Sequence, residues 1–167
     1  MATAGQDAIG ALYERIGPLA FRLARAILAD AAEAEDVVQE AFLRIWRRHE
    51  QLLGPDELDG YTVRTVRNLA YKRIRRREVE GRAQESLEHA AVLVAGPAAS
   101  REPPALDAAL RKLPPEQREV IQLRVYEGLP MNTIADQTGV PLGTVHSRYR
   151  YALSKLRDHL REGHHDR

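Results

Sequence analysis

Three clusters of side chains have types and spacings suited to binding. His146, Ser147, Arg150, Tyr151 and Ser154 recur at helical spacing opposite an apolar set of Val145, Tyr149, Ala152 and Leu156. Imidazole, hydroxyl and guanidinium groups on one helical face can donate to base edges and phosphates, as a helix in a major groove must. Tyr61, Arg64, Thr65, Asn68, Lys72 and Arg75 form a second face, and no acidic residue occurs from Tyr61 through Arg77. Such a face follows phosphates by counterion release, with Tyr61 and Asn68 available for bases. Cations gathered at a helix end for dipole reasons explain Arg75 to Arg77, but not Arg64, Arg67 and Asn68 further upstream. Asp36, Gln39, Glu40, Leu43 and Arg47 form the third. A leucine amid acidic and amide groups suits a protein partner, although single exposed leucines are also common.

Bond-making chemistry has weaker support. Asp36 and Glu40 could be paired carboxylates, and His164 with His165 could hold a metal. An acidic pair four residues apart near a helix start is common surface chemistry, and two histidines in a polar tail lack the fixed setting a ligand needs. The chain has no phosphate-cradling glycine loop, metal-ligand spacing or nucleophile elbow. No catalytic residue, metal or cofactor is expected, and the chain is not expected to be an enzyme.

The elements that position these clusters read as helices. Ile9, Leu12, Tyr13, Ile16, Leu19, Leu23, Ile27 and Leu28 keep helical spacing, and Gly17-Pro18 predicts either two helices or one kinked helix. Asp30 is placed to cap a helix over 33–48, whose buried stripe is Val38, Ala41, Phe42 and Ile45, with Val37 and Trp46 at its margins. Residues 49–60 read as a loop because of Gly54-Pro55 and Asp59-Gly60. A helix from Tyr61 to about Arg77 follows, with Val63, Val66, Ala70 and Ile74 inward.

From Glu78 to Pro104 the Gly and Pro content marks a linker, with room for a short helix near 83–93. Leu106, Ala109, Leu110 and Leu113 open a second helical unit. Pro114 and Pro115 suit a first helical turn, and Gly128 with Pro130 ends that helix. A short helix over 132–138, capped by Asn132 or Thr133, turns Ile134 and Ala135 inward and ends at Gly139. Thr144 is suited to cap a last helix reaching about Asp158. Ala135, Gly139, Val140 and Val145 at these offsets are the pattern of a helix-turn-helix.

Composition agrees with helix-on-helix packing. Apolar residues make up 44% of 167 positions and aromatic residues 5%, so cores must be mostly Leu, Val, Ile and Ala. With a net charge of +1, only clustering of charge argues for nucleic acid. There is no cysteine and hence no disulfide framework. The N-terminus lacks a signal-peptide pattern and no apolar run approaches the ~20 residues of a membrane span, so a cytoplasmic protein with no membrane insertion is expected.

The order of parts resembles a bacterial RNA polymerase sigma factor of the extracytoplasmic-function class, which keeps regions 2 and 4 joined by a linker. The resemblance rests on Leu12-Tyr13-Glu14-Arg15, residues 34–43, Arg67-Asn68-Leu69-Ala70, residues 113–120, and Gly143-Thr144-Val145 with Ser147-Arg148. It implies an all-α fold of two small helical domains with a flexible linker: region 2 over 1–78, linker over 79–104 and region 4 over 105–167.

In function it implies docking of Asp36, Gln39, Glu40 and Leu43 on the clamp helices of the polymerase largest subunit, and a region 4 contact with the flap. Tyr61, Arg64, Asn68, Lys72 and Arg75 would engage an opened minus-10 element. Thr144, His146, Ser147, Arg150 and Tyr151 would read minus-35 duplex. The linker would thread toward the active centre and RNA exit path, and an anti-sigma factor is an expected partner. The chain departs from the family pattern at Tyr61, where tryptophan is usual, and at Val63, where tyrosine is frequent. It departs again at His146, where a cation is common, and at Met131-Asn132-Thr133. A helix-turn-helix regulator that binds duplex without polymerase is the competing reading; it accounts for 132–156 but leaves the first unit unexplained.

Overall fold

The computed structural model describes residues 2–48, 54–84 and 103–165. They divide into two compact units, the boundary falling after Pro97. The described residues are helical with no strands. Of the expected linker, residues 79–84 are instead the end of the helix Pro55–Gln84, and Pro104 begins the next helix; residues 85–102, the short helix considered near 83–93 beyond residue 84, and residues 49–53 lie outside them.

The first unit packs three helices, α1 (Ala2–Leu28), α2 (Ala31–Trp46) and α3 (Pro55–Gln84), each against the other two. Leu12, Leu23, Ile27, Val37, Ile45 and Val66 are fully buried where they meet. α1 is one continuous helix through Pro18, not two. Proline removes one hydrogen bond and costs about 3 kcal/mol inside a helix. Burial on both sides of it, at Leu12 and at Ala20, Leu23 and Ala24, holds the helix in one piece. The Tyr13 ring lies 3.5 Å from where a side chain on Gly17 would begin, an ordinary contact distance. α1 ends at Ala29, which takes a left-handed φ of 56° and donates to the Arg25 carbonyl at 2.8 Å.

Asp30 caps α2 as expected, its Oδ1 accepting from the Glu33 amide at 2.8 Å. The anticipated inward stripe is buried, and Val37 belongs to it fully, whereas Trp46 is 36% exposed. α3 corrects the expected loop at 49–60, because its helix already starts at Pro55. Proline is pre-organised for a first turn, and Gly60 costs only about 1 kcal/mol inside a helix. Thr62 is buried there, its hydroxyl satisfied by the Leu58 carbonyl at 2.7 Å. Arg15 of α1 grips Asp59 through two nitrogens, at 2.6 and 3.0 Å, and fixes this early turn. α3 also runs past Arg77 to Gln84, with Arg76 and Glu80 paired one turn apart at 2.6 Å.

The second unit contains α4 (Pro104–Arg111), α5 (Pro115–Ile121), α6 (Met131–Thr138) and α7 (Leu142–His165). Ala109, Leu113, Ile121, Ala152 and Leu156 form a core, with Leu106, Leu110, Tyr149 and Leu160 packed on it. Arg118 donates to the carbonyls of Leu113 and Arg111, joining the end of α4 to α5. α5 continues into a π-helical turn over Gln122–Tyr126, closed by the Glu127 amide on the Gln122 carbonyl at 3.0 Å. Gly128 follows with φ 68°.

Candidate functional site

The helix-turn-helix is built from α6, a tight turn and α7. α6 is preceded by Pro130 with no side-chain cap, so neither Asn132 nor Thr133 plays the expected capping part. The Pro130 carbonyl accepts from Ile134 at 3.0 Å. Gly139 ends α6 with φ 69°, donating to the Ala135 carbonyl at 2.9 Å. That left-handed conformation is the reason for glycine here. Thr138 is buried, and its hydroxyl donates to the Ile134 carbonyl at 2.7 Å. Ile134 and Val145 are fully buried, fixing α6 and α7 to the rest of the unit; Ala135 is half-buried.

α7 starts at Leu142, two residues before the expected cap, and continues beyond Asp158. Thr144 is therefore no cap: its amide donates to the Pro141 carbonyl at 2.9 Å within the first turn. Its side chain is exposed, as are His146, Arg150, Tyr151 and Ser154. Ser147 is half-buried, its hydroxyl donating to the Gly143 carbonyl at 2.9 Å. Its oxygen retains capacity to accept. The face expected from the sequence is thus outward, opposite buried Val145, Ala152 and Leu156.

On α3, Val63, Val66, Leu69 and Ala70 are buried, while Arg64, Asn68, Lys72 and Arg75 are exposed along one side. Tyr61 and Thr65 are half-buried, and the Thr65 hydroxyl is taken by the Tyr61 carbonyl at 2.8 Å. Arg67 lies over the Tyr71 ring with its guanidinium carbon 4.8 Å from the centroid. Glu80 holds the Arg76 guanidinium above its ordinary range, first by hydrogen bond and then by charge.

On α2, Asp36, Gln39 and Leu43 are exposed and Glu40 is half-exposed, with Leu43 at 58%. Steps of three and four place them along one face. Phe42, one residue away, is buried and meets Tyr13 edge-on at 4.9 Å between centroids. A contact not evident from the sequence crosses this face. Arg73 of α3 reaches Asp36 at 3.8 Å and Glu40 at 4.0 Å, and Arg77 pairs with Glu33. Periodicity separates Arg73 from the outward stripe of α3, but only the packing of α3 on α2 shows what it meets.

Among the described residues no cluster of His, Cys, Asp or Glu could hold a metal. His164 and His165 fall in the last turn of α7, where side chains are not described. No helix among the described residues is long and apolar enough to cross a membrane.

Two helical units, one with an acidic and a basic face and one with a helix-turn-helix, define a multi-surface transcription factor. The Sigma-70 region 2 model matches residues 12–79, and the Sigma-70, region 4 model matches residues 109–158. The chain belongs to the sigma-70 family of RNA polymerase sigma factors and is similar throughout to members of its ECF class. It is 34% identical to the ECF RNA polymerase sigma factor SigL of Mycobacterium tuberculosis, over 91% of this chain and 88% of that one. It is 35% identical to the ECF RNA polymerase sigma factor SigE of Mycolicibacterium smegmatis, over 84% of this chain and 56% of that one. Among solved structures, the sigma factor RpoE from Bartonella quintana, in complex with the anti-sigma factor NepR, shares the fold. The TM-score is 0.72 at 23% identity, covering 89% of this chain and 94% of that one. Because both units match, a duplex-binding regulator that works apart from polymerase is not favoured.

Proposed function

We propose that this sigma factor divides promoter recognition among three helical faces. Asp36, Gln39, Glu40 and Leu43 dock on the clamp helices of the polymerase largest subunit, and the second unit meets the flap. Tyr61, Arg64, Asn68, Lys72 and Arg75 hold the opened minus-10 strand. Thr144, His146, Ser147, Arg150 and Tyr151 read the minus-35 duplex. The observation that carries the reading is that α2, α3 and α7 each bury an apolar stripe and leave these residues, exposed or half-buried, off that stripe.

Melting follows from differential binding. Extruding a base costs a few kcal/mol, and a surface that binds only the extruded form shifts the equilibrium toward open strand. No bond is made or broken by the protein, so it acts without catalysis of its own, in the cytoplasm beside polymerase. Residues 1–78 form the docking and strand-holding module, with α3 continuing beyond it, 79–104 the linker, and 105–167 the duplex-reading module. The likeness to a fold solved with an anti-sigma factor supports a similar inhibitor as a further partner.

Transcription in vitro with core polymerase and a genomic template pool tests this. Defined start sites sharing upstream sequence at two spacings are expected. Failure to produce any defined start refutes the proposal.

A further inference from the structure

The acidic side of the docking face is exposed but already has a partner, because a cation of the same chain lies beside it. Arg73 stands on the flank of α3 that packs against α2, away from Arg64, Asn68 and Lys72. Its two terminal nitrogens address different carboxylates, Asp36 at 3.8 Å and Glu40 at 4.0 Å. Arg77, one turn on, pairs with Glu33, and Glu40 is also held by Arg44 at 2.6 Å. The acids of α2, spaced by three and four residues, are therefore interleaved with arginines from α3 and from α2 itself. Asp36 and Glu40 keep 62% and 41% of their side-chain surface open, and Arg73 keeps 34%. A partner can thus reach the carboxylates without any opening of the core.

We propose that Arg73 is an internal competitor for the polymerase-docking face, occupying Asp36 and Glu40 until cationic or amide donors of the partner displace it. The inference rests on the docking reading above. The long contacts suit exchange: at 3.8–4.0 Å and partly solvated, the pair is weak enough to be replaced and close enough to lower the face's negative potential. Removing the competitor leaves the two carboxylates free and strengthens the field that steers a cationic partner.

The test compares Arg73→Gln with Arg76→Gln in the full-length protein, measuring association and dissociation with core polymerase from low to high salt. Both variants lose one positive charge, but Arg76 pairs with Glu80 on its own helix. Arg73→Gln is expected to bind core several-fold tighter at low salt, mainly through faster association, with the gain shrinking as salt rises. Arg76→Gln should show a smaller change or none. In an Asp36→Asn/Glu40→Gln background, Arg73→Gln should have no effect. Equal behaviour of the two single variants, or weaker binding by Arg73→Gln with an unchanged unfolding midpoint, overturns the inference. Should the midpoint fall, Arg73→Lys, which keeps the charge on a shorter reach, must still bind core tighter than the parent, or the inference is likewise overturned. The docking reading fails separately: it is lost if Glu40→Lys leaves core binding unchanged.

Discussion

Phe42 and Leu43 are adjacent in sequence and should respond to alanine in opposite ways. Leu43 is 58% exposed, so its truncation should shift stability by no more than about 0.5 kcal/mol. Full burial of a leucine side chain is worth about 1.5–3 kcal/mol, and 58% of that surface remains to be covered by a partner. Docking should therefore lose ~0.9–1.7 kcal/mol on Leu43→Ala, a rise in Kd of roughly 5- to 20-fold. Phe42 is only 8% exposed and packs on the Tyr13 ring. Its truncation should cost about 3–5 kcal/mol of folding stability. A unit of ~80 residues has about 4–12 kcal/mol to lose, so Phe42→Ala removes a large share. The assays are chemical denaturation followed by circular dichroism, and titration of core polymerase at fixed salt. An unchanged Kd for Leu43→Ala, with the variant folded, would refute the assignment of this face to docking.

Backbone and side-chain predictions follow from the same geometry. Ala29 has φ 56° on an exposed turn, so Ala29→Gly should stabilise the protein by about 1 kcal/mol, seen as a raised unfolding midpoint. Asp30→Ala removes the cap on Glu33 and should cost about 1 kcal/mol in the same measurement. Gly139→Ala must hold φ 69° with a side chain and should cost about 1 kcal/mol, whereas Gly143→Ala, inside α7 with open space around it, should be neutral or stabilising. Arg150→Ala should lower transcription from promoters with an intact minus-35 element far more than from those with it scrambled. Tyr61→Ala should reduce promoter opening, by about 1–3 kcal/mol if one base stacks there, and permanganate reactivity of the opened strand would show it.

The helices were legible where apolar spacing and cap agree. In α2, Asp30 and the stripe from Val38 to Ile45 act together, and the expected outward face follows from the same period. Errors gathered at prolines and glycines, whose local preferences lose to packing. Of the two outcomes expected at Gly17-Pro18, two helices or one kinked helix, α1 is a single helix, because the core grips it on both sides. Pro55 begins α3 rather than closing a loop, and Gly60 is carried within it. In the helix-turn-helix both helices start earlier than expected, at Met131 and Leu142, so Asn132, Thr133 and Thr144 lie inside the first turn and not at the cap position. The outward residues of α3 and α7 could be read from periodicity, but Arg73 could not be matched to Asp36 and Glu40. That pairing joins residues more than 30 positions apart and depends on how α3 lies across α2.

The chain contains a single tryptophan, Trp46, and it sits 36% exposed in the last turn of α2, three residues beyond Leu43. Incorporating fluorinated tryptophan would therefore place one resonance at the rim of that helix and nowhere else in the molecule. Its chemical shift and linewidth would report occupancy of the neighbouring surface by polymerase or by an inhibitor, with no chemical tag and no substitution at the residues under study.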